Sequence, residues 1–115
     1  MIHPLEVIGE VRNPARELRE HIPDVLAGYA AMQRAVIADG ALPARVKELI
    51  ALAIAVTREC DGCIAAHALG AARRNATEEE VAEAMGVAIM MNGGPGTVWG
   101  PRAFAAFQEV MTRDQ

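Results

Sequence analysis

The chain has 115 residues and a formal net charge of −4, and 52% of its residues are apolar although only 3% are aromatic. This length is typical of one domain of roughly 100–150 residues, so we predict a single domain over residues 1–115. An acidic chain with no basic stripe and few aromatic rings for base stacking argues against a nucleic-acid partner.

The distribution of apolar residues argues against a membrane partner. The longest apolar run, LIALAIAV at 49–56, is far shorter than the roughly 20 residues that a membrane-spanning helix requires. The opening segment MIHPLEVIGE lacks the basic start and the long apolar core of a secretory signal. We therefore expect a cytoplasmic protein. Because alanine-rich faces make thin cores within one chain, we also expect a homo-oligomer.

The N-terminal segment carries the weakest helical pattern. Pro4, Gly9 and Pro14 interrupt it, and proline and glycine are the residues that most disfavour a helix interior. We predict only a short helix, over residues 15–21, in this part of the chain.

The second predicted helix begins at Pro23 and Asp24, which favour a first helical turn through the fixed φ of proline and the negative charge of aspartate. Apolar residues then recur at helical spacing, and they are Val25, Leu26, Tyr29, Met32, Val36 and Ile37. The helix should extend to about Asp39, with Gly40 as its terminator.

The third predicted helix opens at Pro43 and extends to about Arg58. From Leu49 to Val56 every residue is apolar, so the helix would be apolar on nearly all sides. Helices of this kind are usually buried, and we expect this one to be central.

A fourth helix is predicted to begin near Cys60 or Asp61. Arg73 and Arg74 lie in its last turn, where positive charge interacts favourably with the helix dipole. Asn75 suits a left-handed residue that ends the helix.

Two further helices complete the prediction. TEEE at 77–80 fits a capping box, in which Thr77 and Glu80 satisfy backbone amides at a helix start. NGGPG at 92–96 lacks the lysine and the spacing of a phosphate-binding loop, so we interpret it as a turn. Phe104, Phe107 and Met111 mark a final helix. The result is an all-α domain of about five or six helices.

Two cysteines and a histidine form the candidate site. Unpaired amides at a helix N-terminus stabilise a thiolate, the reactive form of cysteine. Cys60 and Cys63 are close enough on a first turn for a disulfide if the geometry relaxes slightly. His67 lies one turn further on the same face, where it can exchange a proton with Cys63. Glu48 would join them if its helix packs against the CxxC helix.

A family resemblance rests on these residues. Glu48, Cys60-x-x-Cys63, x-x-Ala66-His67 and the downstream RRNATEEEVAEAM resemble the carboxymuconolactone decarboxylase superfamily, and within it the alkylhydroperoxidase D-like branch. The match covers roughly residues 42–92. It implies an all-α fold that assembles through its helical core, commonly as trimers or hexamers.

The resemblance also implies a function, that of a thiol-dependent peroxidase or disulfide reductase. Cys63 would attack a hydroperoxide and become a sulfenic acid, which Cys60 would resolve as a disulfide. Glu48 and His67 would relay protons. Cys60, expected to be the more exposed sulfur, would meet a thiol reductant, for which a lipoyl-bearing protein is one candidate. We expect no cofactor and no metal.

Two features of the sequence disagree with this scheme. Helix-terminus electrostatics alone favours Cys60, rather than Cys63, as the more acidic thiol. Many members of the family have Tyr or His between the cysteines, whereas this chain has Asp61-Gly62. That difference leaves the proton network incomplete, or served by Asp61.

Other interpretations compete with the redox one. A cofactor-free lactone decarboxylase would need cationic groups around a dianionic substrate, and the sequence shows no obvious cluster of them. A non-enzymatic helical assembly would need only the alanine-rich faces, with the cysteines as small buried residues. A zinc site would use Cys60, Cys63, His67 and Glu48, but structural zinc sites usually take their ligands as two separated pairs.

Overall fold

The computed structural model describes residues 1–113, and this part of the chain contains six α-helices and no β-strand. In chain order the helices are α1 (Pro4–His21), α2 (Pro23–Ile37), α3 (Ala44–Thr57), α4 (Asp61–Arg73), α5 (Glu78–Asn92) and α6 (Gly94–Arg113). The all-α prediction is confirmed. None of the helices in the described part is both long and apolar enough to cross a membrane.

Helix α1 corrects the prediction for the N-terminal segment, because it is continuous over 18 residues instead of short. Pro4 occupies its first position, where a missing N–H needs no partner. Pro14 lies inside the helix and removes one backbone hydrogen bond. Packing of α1 against α2, α4 and α6 outweighs this local cost, as tertiary context often overrides propensity.

Helix α2 ends at Ile37, so the prediction that Gly40 terminates it is wrong. Ala38 already leaves the helix, with a ψ angle of 147°. Asp39 serves the next helix instead, because its Oδ1 accepts a hydrogen bond of 2.6 Å from the amide of Ala44. Ala44 is the first residue of α3, so this hydrogen bond joins the loop between α2 and α3 to the start of α3.

The turn between α5 and α6 is shorter than predicted. Gly93 alone separates the two helices, and its φ of +68° is a conformation that favours glycine. Pro95 lies in the first turn of α6, where its missing N–H is tolerated. A Cβ at Gly96 would lie only 2.8 Å from Cα of Ile89, so a glycine there lets α6 cross close to α5.

The core lies where α4 and α6 meet α3 and α5. Helix α4 contributes small residues that are fully buried, and Phe107 of α6 is the largest fully buried side chain. On α3, Leu52 and Val56 are buried, but Ile50 and Ile54 are 46% and 56% exposed. Helix α3 contacts α4, α5 and α6, as expected of a central helix, but part of its apolar surface is exposed in the single chain.

The predicted helix ends around α5 are confirmed. Asn75, which follows α4, has a φ of 63°, and Thr77 and Glu80 make both hydrogen bonds of a capping box. Nε of Arg45 on α3 lies 3.1 Å from Oε2 of Glu80, so the same carboxylate joins α3 to α5. The hydrogen bond from the Thr77 amide, assisted by the charge of Arg45, lowers the pKa of Glu80 below its ordinary value of 4.5.

The lowered pKa of Glu80 predicts an acid-sensitive contribution to stability. A carboxyl group whose folded-state pKa is depressed stabilises the fold above its unfolded-state pKa and loses this contribution as the pH falls through the folded-state value. Glu80→Gln keeps a capping side chain but removes the charge. We expect its deficit in free energy of unfolding at pH 7 to shrink steadily below pH 4.5.

Urea unfolding of both proteins across this pH range measures the effect. Glu79→Gln is the matched control, because Glu79 is an exposed glutamate in the same turn. An equal, pH-dependent deficit in that control would contradict the assignment to the capping carboxylate.

Candidate active site around the Cys60–Cys63 disulfide

Helices α3 and α4 bring a carboxylate and an imidazole together inside the molecule. Glu48 of α3 is only 4% exposed and is the buried charged residue of the described core. Oε2 of Glu48 lies 3.4 Å from Nδ1 of His67 on α4, within hydrogen-bonding distance, and the His67 side chain is 22% exposed. A carboxylate taken out of water requires such a partner. The two residues that the sequence placed in different segments therefore meet.

Gly70 explains how Glu48 can occupy this position. It lies in the interior of α4, one turn beyond His67, and a Cβ built on it would overlap the carboxylate of Glu48. Glycine inside a helix costs about 0.5–1 kcal/mol relative to alanine. The close approach of Glu48 is a physical reason for its presence. Gly70 was not predicted as a site residue, although a glycine within the alanine-rich ALGAA was a signal that could have drawn attention.

The two cysteines lie at the start of α4 and are joined by a disulfide. Cys60 is the N-cap residue, and its Sγ accepts a hydrogen bond of 3.1 Å from the amide of Cys63. Their Cα atoms are 5.2 Å apart, within the range usual for disulfides. Asp61 is exposed, and its carboxylate accepts a hydrogen bond of 2.6 Å from the amide of Gly62, the next residue in the first turn of α4.

The exposure of the two cysteines reverses the sequence-based expectation. Cys63 is exposed, whereas Cys60 is only partly exposed. The reason is local: Cys60 occupies the capping position, where its sulfur turns back over the first amides of the helix. Cys63 is therefore the residue that an approaching molecule meets more readily.

A groove of about 550 Å³ runs along the disulfide, between α4 and the N-terminal helices α1 and α2. A smaller pocket of about 310 Å³ holds Glu48 and Gly70. His67 borders both spaces. The imidazole therefore lies between the buried carboxylate and the side of α4 that carries the sulfurs.

The contribution of α1 to this groove was not anticipated, because only a short helix over residues 15–21 was predicted before α2. In residues 1–113 no three His, Cys, Asp or Glu side chains are grouped so that they could hold a metal ion. The site therefore contains a cysteine pair joined by a disulfide, an imidazole, and a buried carboxylate that contacts the imidazole.

Fold and site together define a class of protein: an all-helical domain with a CxxC disulfide at a helix N-terminus and, behind it, a partly buried histidine paired with a buried glutamate. The chain belongs to the carboxymuconolactone decarboxylase family, whose sequence profile matches residues 23–109. The resemblance drawn from the motifs is confirmed for the superfamily, and the alkylhydroperoxidase D-like branch is consistent with it.

The chain is also similar in sequence to proteins of other bacteria. The chain is 39% identical over 103 residues to an uncharacterized protein of Cupriavidus necator, covering 90% of this chain and 91% of that one. It is 40% identical over 82 residues to uncharacterized protein 4 in the cox locus of Paracoccus denitrificans, covering 71% and 74% of the two chains.

The crystal structure of a carboxymuconolactone decarboxylase family protein from Legionella pneumophila, in its apo form, superposes on this chain with a TM-score of 0.90. The two sequences are 33% identical, and the match covers 94% of this chain and 96% of that one. The six-helix arrangement is therefore the fold of this family.

The contact between Gly70 and Glu48 predicts an unusual response to a helix-favouring substitution. Gly70→Ala should destabilise the protein by about 1–3 kcal/mol, because its methyl group would collide with a buried carboxylate. Gly86→Ala is the matched control. A Cβ at Gly86 of α5 meets nothing within 4 Å, so helix propensity alone should stabilise that variant by about 0.5–1 kcal/mol.

Urea unfolding of the single variants and of Gly70→Ala combined with Glu48→Ala measures the collision. In the Glu48→Ala background, Gly70→Ala should no longer be destabilising, because the overlapping carboxylate is gone. Equal effects of Gly70→Ala in both backgrounds would show that the carboxylate is not what Gly70 accommodates.

Proposed function

We propose that this protein is a thiol-dependent peroxidase or disulfide reductase that cycles between the Cys60–Cys63 dithiol and its disulfide. The observation that carries the proposal is a disulfide at the N-terminus of α4, beside an open groove, with His67 held against the buried Glu48. Family membership is compatible with this chemistry and does not by itself select it, because one fold hosts several reactions.

Cys63 is the nucleophile in this proposal, because it is the more exposed cysteine and His67 follows it by one helical turn. His67 accepts the thiol proton. The thiolate attacks the terminal oxygen of a hydroperoxide, the O–O bond breaks, and the alkoxide leaving group takes up a proton to become an alcohol. Cys63 is then a sulfenic acid.

Cys60 resolves the sulfenic acid. Its sulfur attacks the sulfur of Cys63, the S–O bond breaks, and water leaves with the thiol proton of Cys60, which restores the disulfide. The amide of Cys63 points at Sγ of Cys60, and such a donor stabilises a thiolate on that sulfur. Helix-terminus electrostatics thus favours Cys60 as the group that is displaced when the disulfide is reduced.

Reduction requires a dithiol partner, for which a lipoyl-bearing protein remains our candidate. One thiolate of the partner attacks Sγ of Cys63, the more exposed cysteine, and Cys60 leaves as a thiolate. The second thiol of the partner then displaces Cys63, so that the partner becomes a disulfide and both cysteines are reduced. This order assigns the reductant to Cys63, not to Cys60 as the sequence suggested.

Glu48 positions the imidazole and completes the proton relay. With Oε2 near Nδ1 of His67, the other ring nitrogen is left to serve the thiol. Burial of the carboxylate keeps water from competing for this contact. General acid–base groups of this kind contribute roughly 100-fold or more to the rate.

The peroxidase proposal predicts a distinct defect for each variant. Cys63→Ser should abolish peroxide consumption. Cys60→Ser should consume about one equivalent of peroxide and stop at a sulfenic acid, detectable by mass spectrometry after reaction with a dione probe. Glu48→Gln should lower kcat/KM by roughly 100-fold, while Glu83→Gln on α5 provides a control for the loss of one carboxylate.

Stopped-flow assays with an alkyl hydroperoxide and a dithiol reductant give these rates. Persistence of both thiols in wild-type protein after exposure to peroxide and to small disulfides would overturn the proposal. Equal activity of the double Cys→Ser variant on a muconolactone would favour the decarboxylase instead, a reaction for which Arg34 and Arg74, beside Glu48 and His67 in the smaller pocket, offer cationic groups.

We also propose that the chain forms a homo-oligomer, a trimer or a hexamer, through α2. No residue of this helix is buried within the single chain. Its exposed apolar residues recur at a spacing of four, three and four, as Val25, Tyr29, Met32 and Val36. Such a stripe is typical of a helix that packs against another apolar surface, and a second copy of the chain supplies one.

Substitution in this stripe should change the molecular mass in solution. Met32→Glu would place a charge in the contact and should shift the protein toward monomer in light scattering coupled to size exclusion. Ala31→Glu is the control, because Ala31 is exposed on the opposite side of α2. A monomeric wild-type protein, or equal effects of the two substitutions, would contradict the proposed contact.

A further inference from the structure

The groove beside the disulfide has the size and composition of a ligand site. Its volume of about 550 Å³ falls in the range of roughly 300–1,000 Å³ usual for small-molecule sites. Cys60 and Cys63 form part of its wall. A molecule bound there would therefore lie against the sulfurs.

Helix α1 supplies the opposite wall with a stripe that is both apolar and basic. Ile8, Arg12, Ala15 and Arg19 line the groove at spacings of four, three and four residues, which places them on one side of a helix. Val7 and Val11 add apolar surface. The backbone positions of the two arginines are two turns apart, or about 10 Å along the helix.

The charge of this groove is opposite to that of the chain. The residues that line it include two arginines and no aspartate or glutamate, although the chain as a whole has a net charge of −4. With 3.6 residues per turn, the acidic residues of α1 lie on the side of the helix that faces away from the groove. These residues are Glu6, Glu10, Glu17 and Glu20. Cations are thus concentrated where a ligand would approach the sulfurs.

We propose that the groove binds an amphiphilic monoanion, and that the substrate class is hydroperoxides of carboxylic acids with an apolar chain. The carboxylate would pair with Arg12 or Arg19, since arginine matches carboxylate geometry. The chain would lie along the apolar residues of α1, and the hydroperoxide would reach Cys63. The chemical step rests on the peroxidase function proposed above, whereas the binding step does not.

A binding experiment tests the site without any turnover. Decanoate, titrated into the disulfide form below its micelle-forming concentration and followed by calorimetry, should bind more tightly than decanamide. Arg12→Met or Arg19→Met should weaken decanoate binding about tenfold, the loss expected for one charge-assisted hydrogen bond. Arg16→Met is the matched control, because Arg16 lies on α1 between them but does not line the groove.

A kinetic experiment then separates this proposal from the proposed function. A fatty-acid hydroperoxide should have a lower KM than its methyl ester. Arg12→Met or Arg19→Met should raise the KM of the acid until that difference disappears, whereas Arg16→Met, outside the groove, should leave the difference unchanged. Equal KM values for acid and ester, or equal binding of decanoate and decanamide, would overturn the substrate class but not the peroxidase. If decanoate binding depends on the arginines but neither hydroperoxide is consumed, the proposed anion-binding site would stand and the proposed peroxidase activity would be rejected.

Discussion

The arrangement of the site depends on one buried contact, the approach of the Glu48 carboxylate to α4. Removing a carboxylate from water is unfavourable unless polar partners replace the solvent, and here His67 is the partner at 3.4 Å. Gly70 provides the space, at the expense of helix propensity on α4. Because α3 and α4 are fixed together by this contact and by the surrounding core, the imidazole is held at a defined position relative to the cysteines.

At the N-terminus of α4 the two sulfurs have different environments, which suit the different roles proposed for them. Cys60 caps the helix and receives an amide hydrogen bond, an environment that stabilises negative charge on a leaving sulfur. Cys63 is exposed and is followed by the histidine. Helix-terminus electrostatics favours Cys60 as the more acidic thiol, whereas the family pattern assigns the attack on substrate to Cys63. The two are compatible in the proposed cycle, because Cys60 would be the leaving thiolate and Cys63 the attacking one.

Helices α1 and α2 give the site its surroundings. They bury little within the single chain, since Pro4 is the buried residue of α1 and α2 has none. Their placement over the start of α4 nevertheless turns an exposed disulfide into one wall of a groove. The same weak burial leaves the apolar stripe of α2 exposed, so the subunit contact proposed above would lie beside the proposed ligand groove.

The sequence by itself determined the features that depend on local chemistry: the all-α class, the capping box of Thr77 and Glu80, the left-handed Asn75 and the placement of Cys60 at a helix start. Tertiary structure decided the rest. Helix α1 persists through Pro14 because distant contacts outweigh a lost hydrogen bond. The family resemblance suggested that Glu48 serves His67, but spacing along a chain cannot show whether two helices cross where their side chains meet. The role of Gly70 and the basic lining of the groove likewise exist only once the helices pack.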